Sequence, residues 1–374
     1  MEKLSLKELY TRFRNPETIK ALRKLIWREA EGLEEPLYVM EICGGHTHTI
    51  MKYGLPQLLP ENIQFIHGPG CPVCVMPKER IEEAIRLARE PGVILATLGD
   101  MMRVPGITGS LSKVRSEGFD VRPLYTPLDL LKIARENPDK RVVYFAIGFE
   151  TTTPMTSAVI ERGLKEGLKN LYYHINHVLV PPPIRAILTA GRAKINSFIA
   201  PSHVSVIIGA KSYRFLVEEF NTPVVVAGFE PVDVLESILM LIRQKRRREP
   251  KVEIQYRRAT GWEGNLVAQQ LMDRYFQVRE SFRWRGLGEI PKSALQLKPQ
   301  FQQLDAEVVW GDILGIEPVE DHILCICGEI LQGVAKPTDC KIFGTGCTPQ
   351  NPVGSCMVSD EGACNAYYRY FRRR

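Results

Sequence analysis

The sequence predicts an α/β protein with two related parallel-sheet domains and a small, cysteine-rich loop-and-helix domain at the C-terminal end. Three observations carry this expectation. From Pro36 onward, short and continuously apolar runs alternate with turn signals and helical segments, the pattern of parallel strands covered on both faces. The order of strand, Gly or Pro turn and helix then recurs in outline. After about Gly261 the alternation stops, and six of the nine cysteines follow from Cys325 onward.

Taken in order, the first strand is "PLYVMEI" (36–42), followed by the turn "CGGHTH". "IQFIHG" (63–68) is the second, leading through "PGCPVC" into the helix "KERIEEAIRLAREP" (78–91). "GVILATLGD" (92–100) is the third, and "VRPLYTP" (121–127) precedes the helix "LDLLKIAREN" (128–137). The second round begins with "RVVYFAIGFETTTP" (141–154), which matches the first strand, its Gly turn and a Thr-rich helix start. "LYYHINHVLVPPPIRAIL" (171–188) matches the strand, Pro-rich turn and helix around Cys71. "RPLYTPLDLLKIARENPDKRVVYF" (122–145) resembles "TPVVVAGFEPVDVLESILMLIRQKRRREPKVEIQY" (222–256), each running strand, Asp-bearing helix start, helix and strand. These matches place domains at 1–140, 141–258 and 259–374, the last holding a helix and then irregular chain.

Composition narrows the function classes. A hydrophobic content of 44% and a charged content of 25% are those of a globular protein. No apolar run is long enough to span a membrane, and the charged, amphipathic first residues lack the apolar stretch of a signal peptide. A cytoplasmic location is expected, where cysteines serve as ligands, nucleophiles or redox groups more often than as structural disulfides. The net charge is a mild +6, and the basic runs at 243–248 and 372–374 are not interleaved with aromatics. They read as solvated surface, with no nucleic-acid footprint.

Cys325, Cys327, Cys340, Cys347, Cys356 and Cys364 lie in a Gly/Pro-rich segment without the paired C-x₂-C knuckles of zinc ribbons. Widely spaced thiolates of this kind suit an iron–sulfur cube, which needs four cysteines from several directions. Zinc and plain structural cysteines are the alternatives. Four ligands leave two thiols over, and these could form a disulfide that the cluster reduces.

The other three cysteines follow inferred strands. Cys43 lies in "EICGGHTHTI", and Cys71 and Cys74 in "HGPGCPVCV". Sites in open α/β sheets form at the C-terminal ends of strands, so the three thiols are expected to converge, with His46 and His48 nearby. Both turns are placed at helix starts, which favour thiolate, and Gly44 and Gly45 would admit a ligand close to the backbone. The readings are a structural zinc site, a C-x-x-C dithiol acting alone, or a thiol-lined site for a labile soft metal with the pair supplying electrons. Each histidine by itself more often hydrogen-bonds a neighbour. Asp100, Glu150 with Thr151 and Thr152, His203 and Glu230 also end inferred strands, where capping and solvation are the plainer roles.

"EICGGHTHTI", "HGPGCPVCV", "GFETTTP" and "CTPQNPVGSCMVSDEGACNAYY" together resemble the HypD family of [NiFe]-hydrogenase maturation proteins, from about residue 10 to the C-terminus. The resemblance implies a scaffold for the Fe(CN)2CO group, working with a HypC-type small chaperone and a HypE-type cyanide donor. It implies that Cys43 holds that iron jointly with a chaperone cysteine and that Cys71 and Cys74 are redox-active. It also implies a C-terminal [4Fe–4S] cluster held by four of the six thiols, with the other two as a disulfide pair beside it; which four is left open, and the favoured set is Cys325, Cys340, Cys347 and Cys364, with Cys327 and Cys356 as the pair. His46 and Glu150 complete the expected site. The rival expectation is an iron–sulfur-dependent disulfide reductase acting on a protein partner, which would have no use for Cys43.

Overall fold

The computed structural model describes residue 11 and residues 13–371. Apolar sequence buried on both sides makes the central strands. In "RVVYFAIG" every residue after Arg141 is buried, as a parallel strand between two helical layers requires. The strands in chain order are β1 (Leu37–Glu41), β2 (Ile63–His67), β3 (Val93–Leu98), β4 (Val121–Leu124), β5 (Arg141–Gly148), β6 (Leu171–His177), β7 (Ser197–Pro201), β8 (Val224–Ala227) and β9 (Val252–Ile254). One sheet has the order β2-β1-β7-β8-β9 and the other β4-β3-β5-β6, and every neighbouring pair is parallel. The α/β class with two parallel sheets is as expected.

The grouping of strands is not. The boundary expected near residue 140 falls inside the four-stranded sheet, where β3 and β4 join β5 and β6. The chain lays down two strands of the first sheet, builds the whole second sheet from residues 93–177, and then returns at β7. Residues 1–140 and 141–258 therefore each contribute to both sheets. A local strand–turn–helix pattern is the same whichever sheet the strand joins, so the pattern alone does not assign the partner.

The helix Pro16–Ala30 packs Leu22, Ile26 and Ala30 into the same core as Ile238, Leu241 and Ile242 of the long helix Pro231–Arg247. The basic run at the end of that helix meets an acidic run: Arg243 and Arg246 pair with Glu29, Lys245 with Glu35, and Arg248 with Glu34. Exposed pairs of this kind contribute up to about 1 kcal/mol each. The run thus belongs to an intramolecular contact.

After the sheets, the helix Leu266–Tyr275 leads into four short strands: β10 (Phe276–Val278), β11 (Ser281–Trp284), β12 (Gly288–Pro291) and β13 (Leu295–Leu297). β10 pairs with β13 and β11 with β12, both antiparallel. Irregular chain was expected here. The strands are three or four residues long, but Phe282, Trp284 and Ile290 are buried, and Gly286 and Gly288 take the positive φ that turns the β11–β12 hairpin. Among the described residues no helix is long and apolar enough to cross a membrane.

A buried charge network binds this third region to the second sheet. Arg80, on the helix Lys78–Arg89, pairs with Glu83 at 2.8 Å and Glu307 at 2.6 Å, and donates to Asn176 Oδ1 at 2.6 Å. Arg279 also pairs with Glu307, and His174 Nε2 lies 2.9 Å from Glu83. Removing one member leaves the others buried and uncompensated. Arg80→Ala is expected to lower unfolding stability by about 3 kcal/mol, read as a lower urea midpoint at unchanged slope. An unchanged midpoint would count against the network as a structural tie.

Candidate functional site

Cys43 sits just past the end of β1 and caps the helix Gly44–Lys52 in an extended conformation. Its backbone N–H donates to Glu41 Oε2 at 3.1 Å. Gly70 lies directly on this backbone: the Gly44 N–H donates to the Gly70 carbonyl at 3.1 Å. A Cβ at Gly70 would stand 2.3 Å from Cys43 N and 2.4 Å from its Cα. Only glycine permits that approach.

Cys71 follows Gly70 and forms a disulfide with Cys74, their Cα atoms 5.2 Å apart and both residues buried. The pair lies in a turn, and the next helix starts only at Lys78. The expectation that this turn opens a helix is thus corrected; Pro77 intervenes as the helix cap. Gly44 and Gly45 also have protein neighbours. A Cβ at Gly44 would meet the Glu361 Cβ at 2.2 Å, and one at Gly45 the Phe229 ring at 2.8 Å.

Burial pushes the Cys43 thiol well above its ordinary pKa, and the Glu361 and Glu41 carboxylates push the same way. The backbone N–H groups of Gly45 and His46 oppose this without offsetting it. The helix start alone therefore does not make Cys43 a thiolate, contrary to expectation: desolvation outweighs a few backbone dipoles.

His46 is fully buried, and its Nε2–H donates to the carbonyls of Ala227 (3.1 Å) and Gly228 (3.0 Å). Burial lowers its pKa. Nδ1 is buried without a hydrogen-bond partner among the described residues. The ring lies 4.6 Å from Phe229, which His203 meets from 4.2 Å. His48 is engaged elsewhere, with Nε2 3.3 Å from the Tyr370 hydroxyl. Asp100 accepts from the Ser359 hydroxyl at 3.0 Å, and so helps to hold the C-terminal segment. Thr152 stands at the N-cap position of a helix, but its hydroxyl donates back to the Phe149 carbonyl and does not cap the helix N–H groups. Glu230 caps the helix Pro231–Arg247 and pairs with Arg14, so it is a structural carboxylate and not a merely solvated one.

Glu150 is buried, and its carboxylate accepts the Val180 N–H at 3.0 Å. The buried Tyr213 hydroxyl lies 3.2 Å from Ser205 Oγ. Burial pushes Glu150 up to about 7, against an ordinary value of 4.5. Between these values the folded state holds a proton that the unfolded chain has released, so stability is fully present at low pH and falls as pH rises to 7. The loss is on the order of 3 kcal/mol. Glu150→Gln is expected to flatten this fall and to be the more stable protein above pH 7, measured by urea unfolding from pH 4.5 to 8. Parallel curves for the two proteins would refute the assignment.

The C-terminal thiols gather from separate segments. Cys325, Cys327, Cys347, Cys356 and Cys364 are free thiols. The neighbouring Cys327 thiol and burial push Cys325 and Cys364 above the ordinary thiol range, and burial pushes Cys347 the same way. Cys340 points its Sγ to the Leu324 carbonyl at 3.6 Å. A Cβ at Gly354 would lie 2.6 Å from Sγ of both Cys325 and Cys327, so glycine lets the backbone pass close beside the two sulfurs. The two thiol groups adjoin: Ser355, next to Cys356, donates its hydroxyl to the Cys74 carbonyl at 2.6 Å in a buried bond.

Sequence reasoning missed Glu41, His67, Phe229, Tyr213 and Tyr367 as members of this site. Glu41 and His67 were visible as polar residues ending apolar runs, as Glu150 was. The aromatic residues read as ordinary core.

A family model described as "HypD: Hydrogenase formation hypA family" matches residues 17–371. The chain is 50% identical over 369 residues to "Hydrogenase maturation factor HypD2" of Bradyrhizobium diazoefficiens, a match spanning 97% of this chain and 96% of that protein. It is 51% identical over 364 residues to the HypD of Rhizobium leguminosarum, spanning 95% and 94%. To the HypD of Escherichia coli it is 46% identical over 362 residues, spanning 96% of each chain. Fold, thiol arrangement and relatives together define a protein of the hydrogenase maturation class. The chain belongs to the HypD family.

Proposed function

We propose that this protein is the scaffold on which the Fe(CN)2CO group of [NiFe]-hydrogenase is assembled. The iron is cargo, held by the Cys43 sulfur together with a cysteine of a HypC-type small chaperone. Cyanide arrives as a thiocyanate on a HypE-type donor. Release is a two-electron reduction: the donor's S–C bond breaks, and the reduced Cys71 and Cys74 supply two electrons and become a disulfide. Their two protons accompany the donor sulfur, which leaves as a thiol, and the cyanide, which gives its proton up on binding the iron.

The observation that carries this reading is the clamped position of the Cys71–Cys74 turn. Gly70 packs it on Cys43, and Ser355 ties it to the segment of Cys356. A dithiol relay needs these contacts on both sides.

The C-terminal donor set has the chemistry of a [4Fe–4S] cluster: six soft thiols on several segments of one Gly/Pro-rich stretch. Among the described residues no three metal-ligating side chains already stand together, so cluster binding would draw the thiols in. Cys327 and Cys356 are the proposed spare pair. Cys325, Cys340, Cys347 and Cys364 would then hold the cluster. Bound there, it supplies single electrons beside the spare pair.

Metal and sulfide analysis of anaerobically purified protein tests the reading. About four iron and four sulfide per chain are expected, with infrared bands of iron-bound cyanide and carbonyl on further iron. Zinc without sulfide would overturn it.

A further inference from the structure

Glu41 is wholly buried at the end of β1, and its carboxylate is shared three ways. Oε2 accepts the Cys43 backbone N–H at 3.1 Å. Oε1 accepts the Thr47 hydroxyl and lies 2.6 Å from His67 Nδ1. A carboxylate only accepts, so Nδ1 carries the proton of this bond. The far side of the His67 ring continues the line: Nε2 lies 3.2 Å from the Tyr367 hydroxyl, and the two rings meet edge to face at 5.3 Å. His67 is 5% exposed and ends β2. Tyr367 stands on the helix Ala363–Tyr370, one turn after Cys364. Two strand ends, the helix behind Cys43 and the helix of Cys364 thus share one hydrogen-bonded line, buried at Glu41 and His67 and half-buried at Tyr367.

We propose that Tyr367, His67 and Glu41 form a positioning chain that ties the orientation of Cys43 to the helix bearing Cys364, so that a change at the C-terminal thiols is felt at Cys43. The inference deepens the scaffold reading, since the aim of the iron-holding sulfur would follow the state of the C-terminal thiols. The three residues act through the Cys43 backbone, and none is a catalytic residue. Glu41 is the joint: losing His67 leaves its Oε1 with Thr47 alone and frees the Cys43 N–H to shift. Buried hydrogen bonds to a charged group are the strong ones, so the effect on Cys43 is large for so small a change.

The test is the alkylation rate of Cys43 by iodoacetamide in the reduced, anaerobic full chain, read by mass spectrometry of its peptide. His67→Ala is expected to raise the rate about tenfold, the loss of one charge-assisted bond. His67→Asn keeps a donor at the Nδ1 position and is expected to restore most of the wild-type rate. Coupling is read from a double-mutant cycle: Cys364→Ala alters the Cys43 rate when residue 367 is Tyr, and this effect disappears in Tyr367→Phe. Thermal melts confirm that each variant is folded. An equal effect of Cys364→Ala with Tyr or Phe at 367, or an unchanged rate in His67→Ala, would overturn the proposal. Failure of the scaffold reading is seen separately, as wild-type protein without iron-bound cyanide in the infrared, and leaves the alkylation result standing.

Discussion

Cys43→Ala is expected to bind no cyanide-bearing iron and to support no hydrogenase maturation, while the visible absorption of the C-terminal cluster stays at the wild-type level. The two thiol groups sit in different segments. Cys43 is anchored by Glu41 and Gly70, and the C-terminal thiols by one another. Removing one sulfur at the end of β1 therefore leaves the C-terminal donors in place. Cys71→Ser and Cys74→Ser are expected to give the same pattern for maturation, because a single remaining thiol cannot deliver two electrons and close a disulfide. The measurements are hydrogenase activity in a complementation assay, infrared bands in the cyanide region, and cluster absorbance on the same preparations. Full activity of Cys43→Ala would instead favour the disulfide-reductase reading.

Gly70→Val is expected to damage both stability and iron loading. The new Cβ would lie 2.3 to 2.5 Å from Cys43 N, Cys43 Cα and the Ile42 carbonyl carbon, all backbone atoms. Neither side can give way cheaply. The Cys43 N–H is held by Glu41, the Gly44 N–H bonds the Gly70 carbonyl, and Cys71 is tied to Cys74. The cost is about 3 kcal/mol in stability, with separation of the Cys71–Cys74 turn from Cys43. Urea unfolding measures the first, and the infrared signature of loaded iron the second. A Gly70→Val protein of wild-type stability that still loads iron would show that the close approach is dispensable.

Much of this was legible in the sequence. Continuous apolar runs such as "VVYFAIG" identified buried parallel strands, because burial on both faces leaves no alternation to see. The thiols near Cys43 were found because chemistry in such sheets collects at strand ends. What local pattern could not show was partnership between distant segments. β3 and β7 are similar in kind, yet they belong to different sheets. The state of the Cys43 thiol was misread for the same reason: burial by the folded chain raises its pKa most, and Glu361, 318 positions away, adds to it. The β11–β12 hairpin escaped notice because strands of four residues offer too few turns of the pattern to count. Glu41 and His67 were seen as strand residues, and their joint role emerged only when Tyr367 came within reach of His67.

The meeting of Gly44 with Glu361, and of His67 with Tyr367, has a temporal side. A ribosome releases residues 41–74 long before residues 355–371. Until that later stretch emerges, the nascent chain presents Cys43 and the Cys71–Cys74 turn without the segment that walls them in. The sheets can form first, domain by domain, as usually happens during synthesis. The wall around Cys43 therefore closes only after residues 355–371 have been made, because Glu361 and Tyr367 come from that stretch.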